Sequence, residues 1–214
     1  ALPVAATVAR QCGSPVEVLA VASPGDDQAT VADRLAERID AQGVDARPRV
    51  VTSDDVAGAI CAAGDSADTL LCMATRARRP IAEAVLGSVA DSVVRLLRRP
   101  VLLVGPQCGP PPERYQSVVA GLDGSDLSEA ILPVVADWAS QLDLTAWIFQ
   151  VLPERMPLEM GSGDVHETAY VQRVADRLRQ PGVTVEWDVS RAHHAAPAIV
   201  DFAAARRAAL IAVT

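Results

Sequence analysis

The sequence contains no lysine; all nineteen of its basic residues are arginine. That absence removes a Walker-type phosphate-loop lysine, a pyridoxal-phosphate Schiff base and a lysine general base from consideration. Together with the abundance of alanine it points to a high-GC bacterial source. Aromatic residues are scarce as well, at 3% of the chain. Ala, Val and Leu must therefore fill the interior, which suits a parallel sheet covered by helices. Positive charge is outweighed, and a formal net charge of −8 leaves no broad basic field to neutralise phosphates. Nucleic acid and anionic membranes are thereby disfavoured as partners. The four cysteines, Cys12, Cys61, Cys72 and Cys108, show neither C-x-x-C nor metal-type spacing. Cys61 and Cys72 sit in apolar runs and read as small buried hydrophobes. No stretch reaches the roughly 18 apolar residues of a membrane span, and residues 1–9 lack the basic flank of a secretory signal. A reduced, cytoplasmic, soluble protein is the resulting expectation.

What the chain does have is an internal repeat. ALPVAATVARQCGSPVEVLAVASP (1–24) aligns with ILPVVADWASQLDLTAWIFQVLPE (131–154) at a constant offset of 130, placing Pro3 on Pro133 and Val21 on Val151. VADRLAERIDAQGVDARPRV (31–50) resembles VADRLRQPGVTVEWDV (174–189), and ADTLLCMAT (67–75) resembles RAALIAVT (207–214). Between the copies lies QCGPPPER (107–114), whose three successive prolines can continue neither a helix nor a central strand. The chain thus divides into a first copy over 1–106, a linker over 107–114 and a second copy over 115–214.

Each copy alternates strands with helices. SVVAGLD (117–123) is a continuous apolar run, as a strand buried on both faces should be. Ser125 or Asp126 is placed to cap a helix running to about Gln141, with Glu129 as capping-box partner of Asp126. TAWIFQVL (145–152), TVEWDVS (184–190) and ALIAV (209–213) are the next strands, with helices ending near Gln180 and over 197–206. EMGSGDVHE (159–167) reads as a loop; its Gly-Ser-Gly imitates half of a dinucleotide fingerprint, but no strand precedes it. Copy one adds LLCM (70–73), a helix SVADSVVRLLR (88–98) and a strand PVLLV (100–104). Short connections between alternating elements imply parallel sheets with helices on both faces. Copy one has no counterpart of the strand at 117–123 or its Asp-Gly-Ser turn. Copy two has no counterpart of residues after Thr75. Both copies are thus incomplete, and a piece of a longer chain is expected.

The strand ending in GLDGSDLSEA, the strand ending in V-x-P, and LLCMAT…LGSVADSVVRLLRRPVLLVGP resemble the universal stress protein family in its tandem form. The resemblance covers nearly the whole chain. It implies two similar α/β domains, each an open parallel five-stranded sheet of order 3-2-1-4-5 with helices on both faces, Rossmann-like and similar to the adenine nucleotide alpha hydrolases. It also implies a stress-response role. Many members bind ATP at the carboxyl ends of strands one and four, the switch point where such folds hold ligands; others bind no nucleotide. The family's ATP pattern, laid on this sequence, falls on Ala74, Ala77, Gly87 and Ser88. Its spacing is kept and the last pair is intact, but two early glycines are alanines. Gly87-Ser88 opens a helix whose amides and dipole favour an anion. Ala74 and Ala77 hinder the positive-φ turn and the close phosphate approach that glycine allows, at about 1 kcal/mol or more per strained position. Pro80 removes a further amide donor, while Arg76, Arg78 and Arg79 offer direct phosphate contacts. Val21 and Val151 match the position whose backbone meets adenine, and Asp123 matches the acid that meets the adenosine end. The resemblance further implies internal pseudo-two-fold domain packing and a homodimer.

Simpler roles compete with these. Ser88 and Ser125 as nucleophiles would need a base, and the three histidines offer no evident partner, so capping is the better reading. His193 and His194 are adjacent and lack further ligands at metal spacing. Arg98 and Arg99 answer the negative end of a helix. Three functions therefore stand at this point: a non-enzymatic tandem stress protein with an adenine nucleotide as regulatory ligand, a ligand-free scaffold of the same family, and, weakest, an ATPase.

Overall fold

A computed structural model of the 214-residue chain describes residues 1–75, 87–154, 163–206 and 209–214, with the backbone alone for 163–167. The chain forms two compact units, Ala1–Pro111 and Pro112–Thr214.

The first unit runs α1 (Leu2–Cys12), β1 (Glu17–Ala22), α2 (Gln28–Asp40), β2 (Arg47–Thr52), α3 (Val56–Gly64), β3 (Leu71–Ala74), α4 (Ser88–Leu96) and β4 (Val101–Val104). The second runs β5 (Ser117–Leu122), α5 (Asp126–Glu129), α6 (Leu132–Leu142), β6 (Thr145–Leu152), α7 (Gly163–Leu178), β7 (Thr184–Arg191), α8 (Ala195–Ala205) and β8 (Ala209–Ala212). Every strand pair is parallel. The second unit holds one four-stranded sheet of order β7-β6-β5-β8, and the first holds two separate pairs, β1-β2 and β3-β4. Counted within the second unit, its order is 3-2-1-4, the α/β arrangement expected, with the sheets incomplete in both units.

β5 explains the second unit. It carries no charge, pairs with β6 on one edge and β8 on the other, and buries five of its six residues. Such a strand must be apolar throughout, because helices cover both faces. α6 and α7 cover one face of the sheet and α8 the other. On the α8 side Val119, Phe149 and Ala203 form a buried cluster, with Trp147, Ile199 and Phe202 packed against it. The chain's two phenylalanines, Phe149 and Phe202, stack with ring centroids 3.8 Å apart. Gly121 leaves room here for Ile199 of α8, whose Cδ1 would lie 2.9 Å from an added Cβ and would have to shift.

Two expectations need correction. The helix expected from Ser125 or Asp126 to Gln141 is broken into α5 and α6. Pro133, in the first turn of α6, has no N–H to reach the carbonyl of Glu129, and its ring crowds that carbonyl. The loop expected over 159–167 is helical from Gly163 onward. Asp164 and Glu167 favour a helix start through the macrodipole, a signal that the Gly-Ser-Gly pattern obscured; residues 159–162 lie outside the described residues.

The repeat survives in detail. α1 and α6 are both eleven residues long, both carry proline in the first turn, and both end on a left-handed residue. In α1 that residue is Gly13 (φ 68°), and in α6 it is Asp143 (φ 52°), a non-glycine residue at positive φ. Asp143 also meets Arg114 at 2.9 Å, but both side chains are more than half exposed, so the ion pair contributes little. Asp143→Gly should therefore stabilise the second unit by roughly 0.5–1 kcal/mol, read as a higher urea midpoint. An unchanged or lower midpoint would show that the Arg114 contact outweighs the relieved backbone strain.

Candidate functional site

In an open parallel sheet the ligand crevice forms at the carboxyl ends of the strands, where the strand order reverses. In the second unit that point lies beyond Leu122, between β6 and β8. Asp123 stands there in a closed hydrogen-bond circuit. Its Oδ1 accepts from the Ser125 amide at 2.9 Å and from Ser125 Oγ at 2.6 Å. Ser125 Oγ in turn accepts from the Ser128 amide at 3.1 Å, capping α5. Ser128 Oγ donates to the Ser125 carbonyl at 2.9 Å and accepts from the Asp123 amide at 3.3 Å. Gly124 supplies the positive φ, 89°, that the turn needs. The Ser125 hydroxyl, with help from the Ser125 amide and Ser128, holds the Asp123 carboxyl down at about 2. Ser125, rather than Asp126, is thus the cap, and Glu129 is not its capping-box partner: its carboxylate pairs with Arg177 of α7.

Glu129, Arg177 and Tyr170 form a cluster that sequence reasoning missed. Burial, and then the Glu129 carboxylate beside it, pushes the Tyr170 hydroxyl up to about 12. Gln150 was missed as well. It is 8% exposed, ends the inner part of β6 beside Val151, and its Oε1 is buried without a partner. Its Nε2 lies 3.9 Å from where a Cβ on Gly124 would stand, so the amide sits beneath the Asp123 turn. The signal was available, since Gln150 is the one residue of TAWIFQVL with a side-chain amide. Val151 is half-buried at the end of β6, against the Phe149 cluster.

In the first unit, Val21 is half-buried on β1, one residue before its end, and Ala74 is the exposed last residue of β3. Gly87 is the N-cap of α4, in extended conformation (φ −60°, ψ 151°), and no side chain caps this helix. The first bond of the helix runs from the Asp91 amide to the Gly87 carbonyl at 2.9 Å. The amides of Ser88, Val89 and Ala90 therefore precede the intrahelical ladder and form an anion-attracting end. Among the described residues a Cβ at Gly87 would meet nothing within 4 Å, and Ser88 is exposed. Arg76, Ala77, Arg78, Arg79 and Pro80 lie outside the described residues. Val21 and Asp123 belong to different units, so each unit presents a part of the expected constellation.

The remaining candidates take ordinary roles. His193 Nε2 meets Glu154 Oε2 at 2.7 Å, both exposed, and His194 precedes α8 without capping it. Arg99 reaches Asp65 at 3.5 Å. Cys61 and Cys72 are half-buried rather than fully enclosed, because the strand and helix around them are themselves only partly covered; burial pushes the Cys72 thiol up to about 11. Among the described residues no three His, Cys, Asp or Glu side chains cluster for a metal, and no helix is long and apolar enough to cross a membrane.

The fold and the switch-point turn define a Rossmann-like α/β protein built twice in one chain. Residues 1–105 match the model of the universal stress protein family, and this part of the chain belongs to that family. Among solved structures it is similar to a universal stress protein from Archaeoglobus fulgidus DSM 4304, at 16% identity and a TM-score of 0.63, covering 98% of this chain and 80% of that one. A protein of unknown function from Pseudomonas aeruginosa PAO1 is similar at 16% identity and a TM-score of 0.53, covering 97% and 74%. At such identities the likeness is one of fold. No curated protein matches the chain in sequence.

Asp123 gives a test of the turn. A carboxyl held below its ordinary value adds stability that is present above the unfolded value near 4 and is lost as pH falls toward 2. Ser125→Ala removes the largest cause of the depression, so the Asp123 carboxyl should titrate closer to 3.8 when followed by carboxyl-carbon NMR. The lost cap should cost about 1 kcal/mol. An unmoved titration would mean that the Ser125 hydroxyl does not hold the carboxylate.

Proposed function

We propose that this chain is a non-enzymatic, cytoplasmic stress-response regulator of the tandem universal stress protein kind, and that it takes an adenine nucleotide weakly as a regulatory ligand. The observation that carries this reading is the amino end of α4. Among the described residues nothing caps the three helical amides that follow Gly87, at the position where the family's ATP pattern keeps its Gly-Ser pair. Such an end attracts phosphate through its amides and dipole. In the second unit Asp123 offers acceptor oxygens of the kind a ribose would donate to, and Val151 stands one residue before the end of β6, on the strand whose backbone meets adenine in the family.

A ligand-free scaffold is the second reading, and Ala74 favours it. This alanine ends β3 exposed, where the family pattern has glycine. ATP hydrolysis is the third. It lacks support in the geometry, because the Ser125 hydroxyl is engaged by Asp123 and Ser128.

Denaturing purified protein and assaying the supernatant for adenine nucleotide tests the reading, together with the melting temperature in millimolar ATP. Ligand release or a rise in Tm is expected, with phosphate release at background. No release and an unchanged Tm would leave the scaffold reading; turnover above background would favour the enzyme. Ala74→Gly combined with Ala77→Gly should strengthen ATP binding about fivefold per site, from the roughly 1 kcal/mol that alanine adds to a positive-φ turn around the phosphates. If affinity stays the same, those two alanines are not the limiting defect.

A further inference from the structure

β7 is the outermost strand of the second unit's sheet, and in an order of 3-2-1-4-5 its far side is an edge as well. Within a ladder the N–H and C=O of one residue point to the same neighbour, and successive residues alternate sides. The Ala192 amide donates to the Leu152 carbonyl at 3.0 Å, so Ser190, Asp188, Glu186 and Thr184 face β6. Val185, Trp187 and Val189 therefore turn their backbone groups outward. In the first unit the equivalent strand is guarded. The Arg47 amide donates to the Val16 carbonyl, which puts Pro48 of β2 at an outward position with no N–H to offer. β7 contains no proline. Its outer edge is guarded by Asp188, whose Oδ1 accepts from the Val189 amide at 2.8 Å. Among the described residues no strand takes the backbone groups of Val185 and Trp187.

The side chains along this edge define what fits beside it. Val185 and Trp187 share the face that α7 covers. Val185 is buried there, but Trp187 is only half-buried, so part of its indole is left for an apolar neighbour. Thr184, Glu186 and Asp188 share the opposite face, where α8 lies over β5, β6 and β8. The groove of about 570 Å³ on that side is bordered by Thr184, Glu186, Trp147 and Arg206. The two acids stand two residues apart on one face of the strand. Arg206 meets Asp188 at 3.4 Å, whereas Glu186 is exposed and pairs with no cation among the described residues. This edge thus presents an apolar side, an acidic side and open backbone groups between them.

We propose that β7 takes an extended segment of a partner protein along Val185–Trp187, and that this segment alternates apolar with basic side chains. Its apolar side chains pack beside Trp187, and a basic one stands opposite Glu186, where the uncovered groove leaves it room. A strand added in this way binds through main-chain hydrogen bonds and is selected through its alternate side chains. A second copy of this chain is a poor occupant. Paired antiparallel about Trp187, two β7 strands would set Glu186 opposite Asp188, and like charges directly opposite are destabilising. An acidic segment is rejected for the same reason. Val185 and Trp187 lie in the amino half of β7, away from the Asp123 turn, and nucleotide binding has no part in the proposal.

The test adds a short synthetic peptide alternating valine with arginine to the full 214-residue chain and follows residue-resolved amide exchange. Saturable binding is expected, with exchange at Val185 and Trp187 slowed about tenfold or more. Glu186 and Asp188, already bonded to β6, should change little. Glu186→Gln should weaken the peptide about twofold to fivefold, the size of one exposed ion pair. A peptide with glutamate in place of arginine should not bind. Absence of saturable binding, protection at β2, β4 or β8 in place of β7, unchanged affinity in Glu186→Gln, or equal binding of the glutamate peptide would each overturn the proposal.

Discussion

A strand bonded on both edges and covered on both faces leaves no surface for water, and the second unit is organised around that constraint. β5 meets it with an uncharged run and with Gly121, which lets α8 approach to contact distance. Once β5 is enclosed, its chain can leave only at the carboxyl end, and there the backbone must reverse. Gly124 and the Ser125–Ser128 circuit make that reversal, and the same circuit fixes Asp123 as an anion. The candidate site is thus a by-product of sealing a central strand. In the first unit β1 and β3 are mostly half-buried, and among the described residues each pairs on one edge.

Having arginine as its sole basic side chain shapes the electrostatics. Arginine stacks and forks where lysine would point a single charge. Arg206 uses this property: its guanidinium carbon lies 3.1 Å from the Phe202 ring centroid and 4.0 Å from that of Trp147. Its Nη2 stands 3.4 Å from Asp188, so it closes the edge of the aromatic cluster while keeping a carboxylate partner. Burial lowers its pKa, but a guanidinium stays charged regardless. A groove of about 570 Å³ opens beside it at the amino ends of the strands, bordered by Trp147 and Glu186, opposite the end where Asp123 lies. Arg177 serves the other face by tying α7 to Glu129, which locates the Asp123 turn relative to the helix layer.

The repeat made the fold legible. A constant offset with matched prolines fixed helix and strand phases in both copies, and continuous apolar runs identified the inner strands. What stayed hidden depended on contacts far apart in sequence. The break before Pro133 was visible in principle, since a proline four residues after Glu129 has no N–H to donate to the Glu129 carbonyl in one continuous helix. The start of α7 was masked by local glycines, while its acidic first turn argued the other way. Within the site, Asp123 was legible from its Gly-Ser neighbours. Gln150 was not singled out because a lone amide in an apolar strand has no meaning until the turn above it is placed. The Glu129–Arg177 pair spans 48 positions, so no local pattern could reveal it.

The two halves of the expected site prefer opposite chemistry, and this bears on affinity. The Asp123 carboxylate, anionic down to about pH 2, repels phosphate and attracts hydroxyl or amino donors. The uncapped end of α4 does the reverse. The two lie in different units of this chain, so each unit alone offers a nucleotide a partner for only one of its ends. Each half alone supplies a few hydrogen bonds at an exposed surface, where competing water leaves a net gain of about 1 kcal/mol per bond. Ordering a flexible ligand consumes a comparable amount. A half-site is therefore weak on physical grounds even before Ala74 is considered. In a complete site, the alanine would set the affinity. In a half-site, the missing partner sets it, and relieving the backbone strain recovers only part of the difference.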